Sequence, residues 1–115
     1  MKQWKMLLAI MLTFPTAAMA VGAIAVDDEE GDTEPGYGFA TGYATKEEAR
    51  AAAMQECKSS GNKNCQVVAW FETCGAYAAS KKYYGAGWGS TKKKAENMAL
   101  EKCGGGCSIV VSDCE

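Results

Sequence analysis

The sequence predicts an α+β fold with a mainly antiparallel sheet, two helices on one face of that sheet, and disulfide staples. Three observations lead to this prediction: an internal repeat, alternating helix-type and strand-type hydrophobic patterns, and six cysteines in a chain of 115 residues. The repeat gives the order β-β-α-β twice, and short connections around each helix favour antiparallel neighbours. A chain of this length forms one domain, with repeat halves at about 22–74 and 76–114.

Residues 1–20 are predicted to be a secretory signal peptide. Lys2 and Lys5 make the first five residues positively charged, and an apolar run follows from Met6 to Phe14. Ala18-Met19-Ala20 then forms a cleavage site. The apolar run has about half of the ~20 residues that a membrane-spanning helix needs, so we expect cleavage and no stable membrane insertion. The remaining single domain is 21–115, and its expected location is periplasmic or secreted.

The repeat is clearest in two helical segments that are related by an offset of 46 residues. Thr45 begins the first segment and Thr91 the second, and threonine is a common N-cap residue. In each segment, small or apolar residues recur at the spacing of one helix face. They are Ala49, Ala52, Ala53 and Cys57 in the first, and Ala95, Met98, Ala99 and Cys103 in the second. Such small side chains allow each helix to lie close on a sheet, and Gly104 to Gly106 end the second helix.

Two β-branched runs, 66–71 and 108–111, are predicted to be the strands that follow the helices. Alternation along these strands places one set of side chains on the helix-covered face. That set is Val67, Ala69, Phe71, Ile109 and Val111, while Val68 and Trp70 point to the opposite face. Further strands are predicted at 23–26 and 76–80, with hairpins over 71–76 and 81–82. The alternating glycines of 85–89 indicate a close backbone approach.

Six cysteines follow residue 20, and an even count in a short exported chain indicates three disulfides. They are Cys57, Cys65, Cys74, Cys103, Cys107 and Cys114. The alternative is a zinc site, which usually combines C-x-x-C pairs with histidine, and this sequence has neither. The prediction is therefore three disulfides, with no metal and no cofactor.

The repeat narrows the 15 pairings that six cysteines allow, because equivalent bonds are expected in both halves. The local set bonds each helix end to the strand that follows and then joins the two remaining cysteines. Its pairs are Cys57–Cys65, Cys103–Cys107 and Cys74–Cys114, and the last bond is expected to join the halves. The other symmetric set crosses between the helices, with Cys57–Cys103 and Cys65–Cys107. Short-range pairing requires no particular helix spacing, which favours the local set.

Several segments of the chain resemble a known bacterial family. They are Gly22 to Val26, Tyr37 to Thr45, Cys65 to Val68 and Thr73 to Ala78, together with the Ala/Cys helix between them. Over residues 22–114 this duplicated pattern is similar to the family catalogued as domain of unknown function 4189. The resemblance implies a small exported protein with paired cysteines, and it implies no reaction and no catalytic residue. The tandem layout of helices and strands is also similar to that of β-lactamase inhibitor protein.

Catalytic chemistry has few candidates in this sequence. The absence of histidine removes Ser/His/Asp and Cys/His mechanisms, and a cysteine nucleophile requires a thiolate that the disulfides do not leave. The acidic run 27–32 offers oxygen ligands for calcium, but its spacing does not fit an EF-hand loop and charge runs are usually solvated. We therefore expect that the protein is not an enzyme.

A basic cluster beside aromatic residues is the predicted partner-binding surface. It comprises Lys81, Lys82, Tyr83, Tyr84, Trp88, Lys92, Lys93 and Lys94. Aromatic side chains interleaved with lysine bind single-stranded nucleic acid or glycans, whereas the alternative is a solvated turn and helix start. Nucleic acid is not an expected partner, because the chain after residue 20 has 10 basic and 14 acidic side chains and such binding depends on basic charge.

The sequence thus predicts an exported, non-enzymatic binding module, either an inhibitor or an interaction domain. Its expected partner is another protein or an envelope component. The prediction depends on a cross-linked scaffold, an aromatic-rich sheet and the missing catalytic set. The alternatives are an envelope or stress-related structural protein with no dedicated ligand and, less favoured, a small enzyme.

Overall fold

The computed structural model describes residues 20–27 and 36–115, so the predicted signal peptide and most of the acidic run lie outside the described residues. The described elements follow the predicted β-β-α-β order in each half. They are β1 (Val21–Asp27), β2 (Gly36–Tyr43), α1 (Lys46–Ser59), β3 (Gln66–Phe71), β4 (Cys74–Ala79), β5 (Tyr84–Gly89), α2 (Lys92–Cys103) and β6 (Ser108–Cys114).

The strands form two three-stranded antiparallel sheets, with the orders β2-β1-β3 and β5-β4-β6. The predicted α+β class with antiparallel pairing is therefore confirmed. The hairpin at 81–82 is also confirmed, because Ala79 pairs with Tyr84. The hairpin over 71–76 is wrong, since β3 and β4 lie in different sheets. Both halves share one strand order, although the sequence repeat itself stays an interpretation.

Each sheet carries one helix on its outer face, and the two inner faces pack against each other. α1 covers the first sheet and α2 covers the second. Between the sheets lies an apolar cluster whose buried members are Ile24, Val26, Phe71, Tyr77 and Ala79. The expectation of one sheet with both helices on one face is corrected here. The central strands β1 and β4 are buried along their whole length, so both of their faces require cover.

The helices lie so close to the sheets that only small residues fit between them. The buried residues of α1 are Ala49, Ala53 and Cys57, and those of α2 are Ala95, Ala99 and Cys103. They are members of the two predicted stripes. A Cβ atom added at Gly85 would lie 2.5 Å from both the carbonyl oxygen of Ala99 and the nitrogen of Cys103. The close backbone approach predicted for this strand is therefore confirmed.

A residue is skipped by the pairing in each of the edge strands β3 and β6. The register of β3 against β1 shifts at Val68, and the register of β6 against β4 shifts at Val110. An extra residue of this kind reverses the alternation beyond it. Ala69, Phe71 and Val111 therefore lie on the inner faces of their sheets, where Ile24, Phe71 and Tyr77 form the inner cluster. Their predicted place beside the helices is wrong.

The three disulfides are Cys57–Cys65, Cys74–Cys114 and Cys103–Cys107, which confirms the local set. The two short bonds join helix ends to the residues before β3 and β6, with Cα atoms 6.2 and 6.3 Å apart. The third bond does not join the halves as expected. Cys74 in β4 and Cys114 in β6 are direct neighbours in the second sheet, because the chain changes sheets between Phe71 and Cys74.

Both helices begin at the predicted threonines. The Oγ1 atom of Thr45 accepts a hydrogen bond from the backbone N–H of Glu48, and Thr91 does the same for Lys94, each at 3.1 Å. Gly104, with φ of 103°, ends α2 as predicted. Of the described helices, neither has the length and apolar character that crossing a membrane requires.

Asp27 is a buried charged residue at the end of β1. Its Oδ2 atom accepts hydrogen bonds from the backbone N–H groups of Lys63 at 3.1 Å and Asn64 at 3.0 Å. Asp27 is the first residue of the acidic run 27–32, and it pairs with Gly36 across β1 and β2. Its carboxylate fixes the turn that leads into β3, and residues 28–32 of the acidic run lie outside the described residues.

Candidate functional site

The face of β5 that points away from α2 carries large aromatic side chains. The alternate glycines of this strand face the helix, so Tyr84 and Trp88 point to the other side. The ring of Tyr84 stacks on the buried Tyr77, with centroids 6.2 Å apart. Tyr84 remains 58% exposed and Trp88 45% exposed. The sheet thus presents two aromatic rings to solvent beside its own buried core.

The edge strand β3 of the first sheet lies beside β5 and adds a second indole. Val68, at the skipped register position, packs against the inner cluster, and Trp70 is 41% exposed. A cleft of about 520 Å³ separates the two strands at the end near Tyr84, and one of about 440 Å³ separates them at the end near Trp70. Val68 and Trp88 border both clefts, so the two clefts form one continuous surface.

We call this surface the seam cleft, because it lies where the edges of the two sheets meet. Its principal residues are Gln66, Val68, Trp70, Tyr84, Trp88 and Lys102. Lys102 comes from the last turn of α2, which ends beside Gly85. The cleft is therefore built from both sheets and one helix, and it exists only when the two halves pack together.

A lysine ammonium lies over each indole of the seam cleft. The Nζ atom of Lys46 is 4.5 Å from the ring centroid of Trp70, and that of Lys102 is 4.4 Å from the ring centroid of Trp88. At such distances the ammonium is attracted by the negative face of the aromatic ring. Glu72 borders the end of the cleft near Trp70. The surface thus combines apolar rings with hydrogen-bonding groups of both charges.

The predicted basic cluster does not form a single patch. Lys81 and Lys82 lie in the turn between β4 and β5, where the hydroxyl of Ser80 accepts hydrogen bonds from the backbone N–H groups of Lys82 and Tyr83. Tyr83 is 54% exposed. This part of the cluster lies at the Tyr84 end of β5 and is compatible with the alternative interpretation of a solvated turn.

The other predicted lysines, Lys92 to Lys94, lie at the opposite end of β5. α2 runs back along this strand, so that Lys94 lies beside Gly89 and Cys103 lies beside Gly85. The two lysine groups lie at opposite ends of β5, which five residue steps place about 17 Å apart. Of the eight predicted residues, Tyr84 and Trp88 line the seam cleft, and binding by the lysines stays a prediction.

Sequence reasoning missed Trp70, Lys46 and Lys102 as members of this surface. The predicted place of Trp70, on the strand face opposite the helix, is wrong, because Trp70 pairs with Ala23 of the cluster beneath α1. Nothing in the pattern indicated that β3 and β5 adjoin. The lysines are single charges on helix surfaces, which is where charged residues usually lie. Two tryptophans on strands of different halves were the available signal, since tryptophan is enriched among the residues that dominate binding energy.

The residues that border the seam cleft include few groups of the kinds that acid–base or nucleophilic catalysis uses. All six cysteines are in disulfides, the chain has no histidine, and Glu72 is the carboxylate that borders the cleft. Over residues 20–27 and 36–115, no group of three cysteine, aspartate or glutamate side chains is placed to hold a metal ion.

A family model described as domain of unknown function (DUF4189) matches residues 21–114 of the chain. This range begins at the first residue of β1 and ends at the last residue of β6, so it covers both sheets, both helices and the seam cleft.

Mycobacterial proteins are similar to part of the chain. Protein Rv1269c of Mycobacterium tuberculosis H37Rv is 39% identical over 70 residues, which cover 61% of this chain and 54% of that protein. Protein Mb1300c of Mycobacterium bovis matches to the same extent. Uncharacterized protein Rv1813c of M. tuberculosis H37Rv is 37% identical over 62 residues, or 54% of this chain and 41% of that protein. The matches thus span about half the length of these relatives. No solved structure matches the chain.

Proposed function

The chain belongs to the domain of unknown function 4189 family, and we propose that it is an exported, non-enzymatic binding module that holds its partner in the seam cleft. One observation carries the proposal: Trp70 and Trp88, from different halves of the domain, border one cleft and remain 41% and 45% exposed. Tryptophan is one of the residue types enriched among those that dominate binding energy. Two half-exposed indoles side by side are therefore typical of a contact surface.

The scaffold around the cleft supports binding because it is cross-linked close to the cleft. The bond Cys57–Cys65 lies immediately before β3, and the bond Cys74–Cys114 ties β4, the neighbour of β5, to β6. A surface that is already ordered loses less conformational entropy when a partner binds. The disulfides thus favour a cleft that is formed before the partner arrives.

Export is supported by two features of the described chain. Three disulfides in a short chain are typical of oxidising compartments. β1 begins at Val21, so cleavage after Ala20 leaves every described element intact. We expect N-terminal sequencing of protein from the producing cell to start near Val21. Soluble protein that retains residues 1–20 would contradict export.

The absence of enzymatic activity is part of the proposal. General acid–base catalysis usually requires histidine or paired carboxylates, and nucleophilic catalysis requires an activated side chain. Glu72 is the carboxylate at the described cleft, and no cysteine there carries a thiol. Purified oxidised protein is expected to be inactive in a broad hydrolase and transferase screen, and any turnover that Trp70→Ala removes would overturn this part.

Capture from envelope fractions and culture supernatant tests the binding function. Immobilised oxidised protein is compared with the variant Trp70→Ala/Trp88→Ala and with the control Tyr37→Ala/Tyr43→Ala. The control residues lie on β2 and are 40% and 38% exposed, so both variants remove partly exposed aromatic rings. We expect capture by the wild type and the control, and loss of capture by the tryptophan variant without loss of the thermal transition. Equal capture by all three proteins would contradict a role for the cleft.

A further inference from the structure

We infer that the partner of the seam cleft is a polysaccharide that carries carboxylate groups. This inference rests on the proposed binding function and adds the chemical class of the ligand. The structural basis is the pairing of each exposed indole, Trp70 and Trp88, with a lysine ammonium, from Lys46 and Lys102 respectively.

The indoles match the apolar faces of sugar rings. One face of a pyranose presents several C–H groups with small positive partial charges, and the face of an aromatic ring is electron-rich. A sugar that covers an indole also removes apolar surface from water. Because Trp70 and Trp88 border one continuous cleft, a chain of linked sugars is able to contact the exposed parts of both rings. A single monosaccharide does not use both halves of this surface.

The lysines add the preference for negative charge. The Nζ atoms of Lys46 and Lys102 lie 4.5 and 4.4 Å from the ring centroids, so an acidic group on a sugar stacked beside either ring comes within reach of an ammonium. A hydrogen bond between an ammonium and a carboxylate is stronger than one between neutral groups. Gln66 and Glu72, at the two ends of the cleft, offer acceptors and donors to sugar hydroxyls.

The same features argue against a nucleic acid strand, although its bases also stack on aromatic rings. Binding of nucleic acid depends largely on basic side chains that neutralise backbone phosphates. The cleft offers Lys46 and Lys102 against the carboxylate of Glu72, and the chain after residue 20 has more acidic than basic side chains. Carboxylated polysaccharides that also present neutral hydroxyl edges fit this sparse, mixed charge better.

Fluorescence provides a direct test, because the chain has three tryptophans and Trp4 lies in the predicted signal peptide. In the protein that starts at Val21, indole emission reports on Trp70 and Trp88 alone. The probes are hexagalacturonate, a hyaluronan octasaccharide and an alginate oligomer, with the methyl ester of hexagalacturonate as the matched neutral ligand. We expect at least one acidic probe to change the emission saturably and to bind more tightly than the methyl ester binds.

Two variants separate the contributions. Trp70→Ala is expected to weaken binding of the acidic probe at least about tenfold, as truncation of a central aromatic contact does. Lys46→Ala/Lys102→Ala is expected to lower the affinity for the acidic probe by about tenfold and to leave the affinity for the methyl ester unchanged. The control Arg50→Ala/Lys58→Ala, at exposed positions of α1 that do not border the cleft, is expected to bind like the wild type. Calorimetry supplies the affinity where the emission change is small.

The outcomes distinguish this inference from the proposed function. If none of the three acidic probes binds, while capture from envelope fractions still depends on the tryptophans, the polysaccharide is wrong and the binding function stands. A captured partner that is a peptide or a nucleic acid overturns the inference in the same way. If acidic probes bind equally to Trp70→Ala and the wild type, the assignment to the seam cleft is wrong. If capture does not depend on the tryptophans at all, the proposed function fails as well.

Discussion

The two halves of the domain are alike where they pack. Gly38 in β2 lies against the backbone of α1 at Ala53 and Cys57, and Gly85 in β5 lies against the backbone of α2 at the residues 46 positions later. Each helix end is bonded to the residue before the next strand. Each edge strand that follows a helix has its bulge three residues after the cysteine before that strand, at Val68 after Cys65 and at Val110 after Cys107. The internal contacts are thus shared almost position by position.

The halves differ where their edges meet solvent. Trp70 in β3 corresponds, at the 42-residue offset that relates Cys65 to Cys107, to Ser112 in β6. The hydroxyl of Ser112 donates a hydrogen bond to the carboxylate of Glu96. The edge formed by β3 and β5 is therefore aromatic, whereas the equivalent position on the other edge is polar. The shared residues therefore maintain the fold, and the cleft occurs on one edge because its two tryptophans are not shared.

The largest expected effect concerns a bond that only the second half has. Cys74–Cys114 closes a loop of 40 residues, against 4 for Cys103–Cys107. In the chain-entropy model these loops contribute about 4 and about 2 kcal/mol to the free energy of unfolding. We expect Cys74→Ser/Cys114→Ser to lose about 4 kcal/mol in urea denaturation, and Cys103→Ser/Cys107→Ser to lose about 2 kcal/mol. Equal losses would show that loop length does not set these contributions.

The next effect tests the shared helix contacts. Gly38→Ala and Gly85→Ala each force a Cβ atom into helix backbone, which side-chain rotation does not relieve. We expect each to lower the free energy of unfolding by about 3 kcal/mol, the upper range for overpacking. Gly105→Ala is the control, because nothing lies within 4 Å of its Cβ position, and its effect should stay within about 0.5 kcal/mol. A tolerated Gly85→Ala beside a damaging Gly38→Ala would mean that the halves pack differently.

The contacts that these glycines permit could be predicted from the sequence, because small residues at helical spacing and alternating glycines indicate close packing without any knowledge of topology. The cysteine pairs could be predicted for a related reason, since each short bond joins residues that are close in sequence. The number of sheets could not be predicted from the sequence. A strand such as β1 reads the same whether its second face meets a helix or another sheet, so the inner cluster around Tyr77 could not be assigned.

The seam cleft could not be predicted from the sequence for the same physical reason. Trp88 entered the predicted surface because lysines are near it in sequence, but those lysines lie in the turn before β5 and at the start of α2. The ammonium over its ring belongs to Lys102. Trp70 is near Trp88 because two edge strands adjoin, which is a property of sheet stacking. The bulges at Val68 and Val110 also depend on pairing partners, and alternation alone therefore assigned Phe71 and Val111 to the wrong face.

A smaller effect concerns the helix caps that the two halves share. Thr45 and Thr91 each accept one backbone hydrogen bond at a helix start. Replacing either with alanine leaves that N–H group without its side-chain partner and is expected to cost about 1 kcal/mol. The serine variants keep the hydroxyl and should lose much less. Thermal unfolding measures both pairs, and a clear difference between Thr45→Ala and Thr91→Ala would show that one helix is fixed by other contacts.

The smallest effect concerns the charges that distinguish the two helix starts. α1 has Glu47 and Glu48 in its first turn, whereas α2 has no acidic residue there and carries Lys94. The N-terminus of a helix has a partial positive charge, so the lysine opposes the dipole. Lys94→Glu also completes the capping box with Thr91. We expect it to raise the free energy of unfolding by about 0.5 kcal/mol, and Glu48→Lys to lower it by a similar amount.

Salt provides the control for this exchange, because about 1 M salt screens interactions between exposed charges. Both differences should shrink in high salt if they arise from the helix dipole. The Lys94→Glu protein also tests the role of the lysines at the start of α2. Stabilisation with unchanged capture means that these lysines are a solvated helix start and that binding belongs to the seam cleft. Stabilisation with loss of capture means that the partner extends beyond Trp88 to the start of α2, since the change adds negative charge there without weakening the fold.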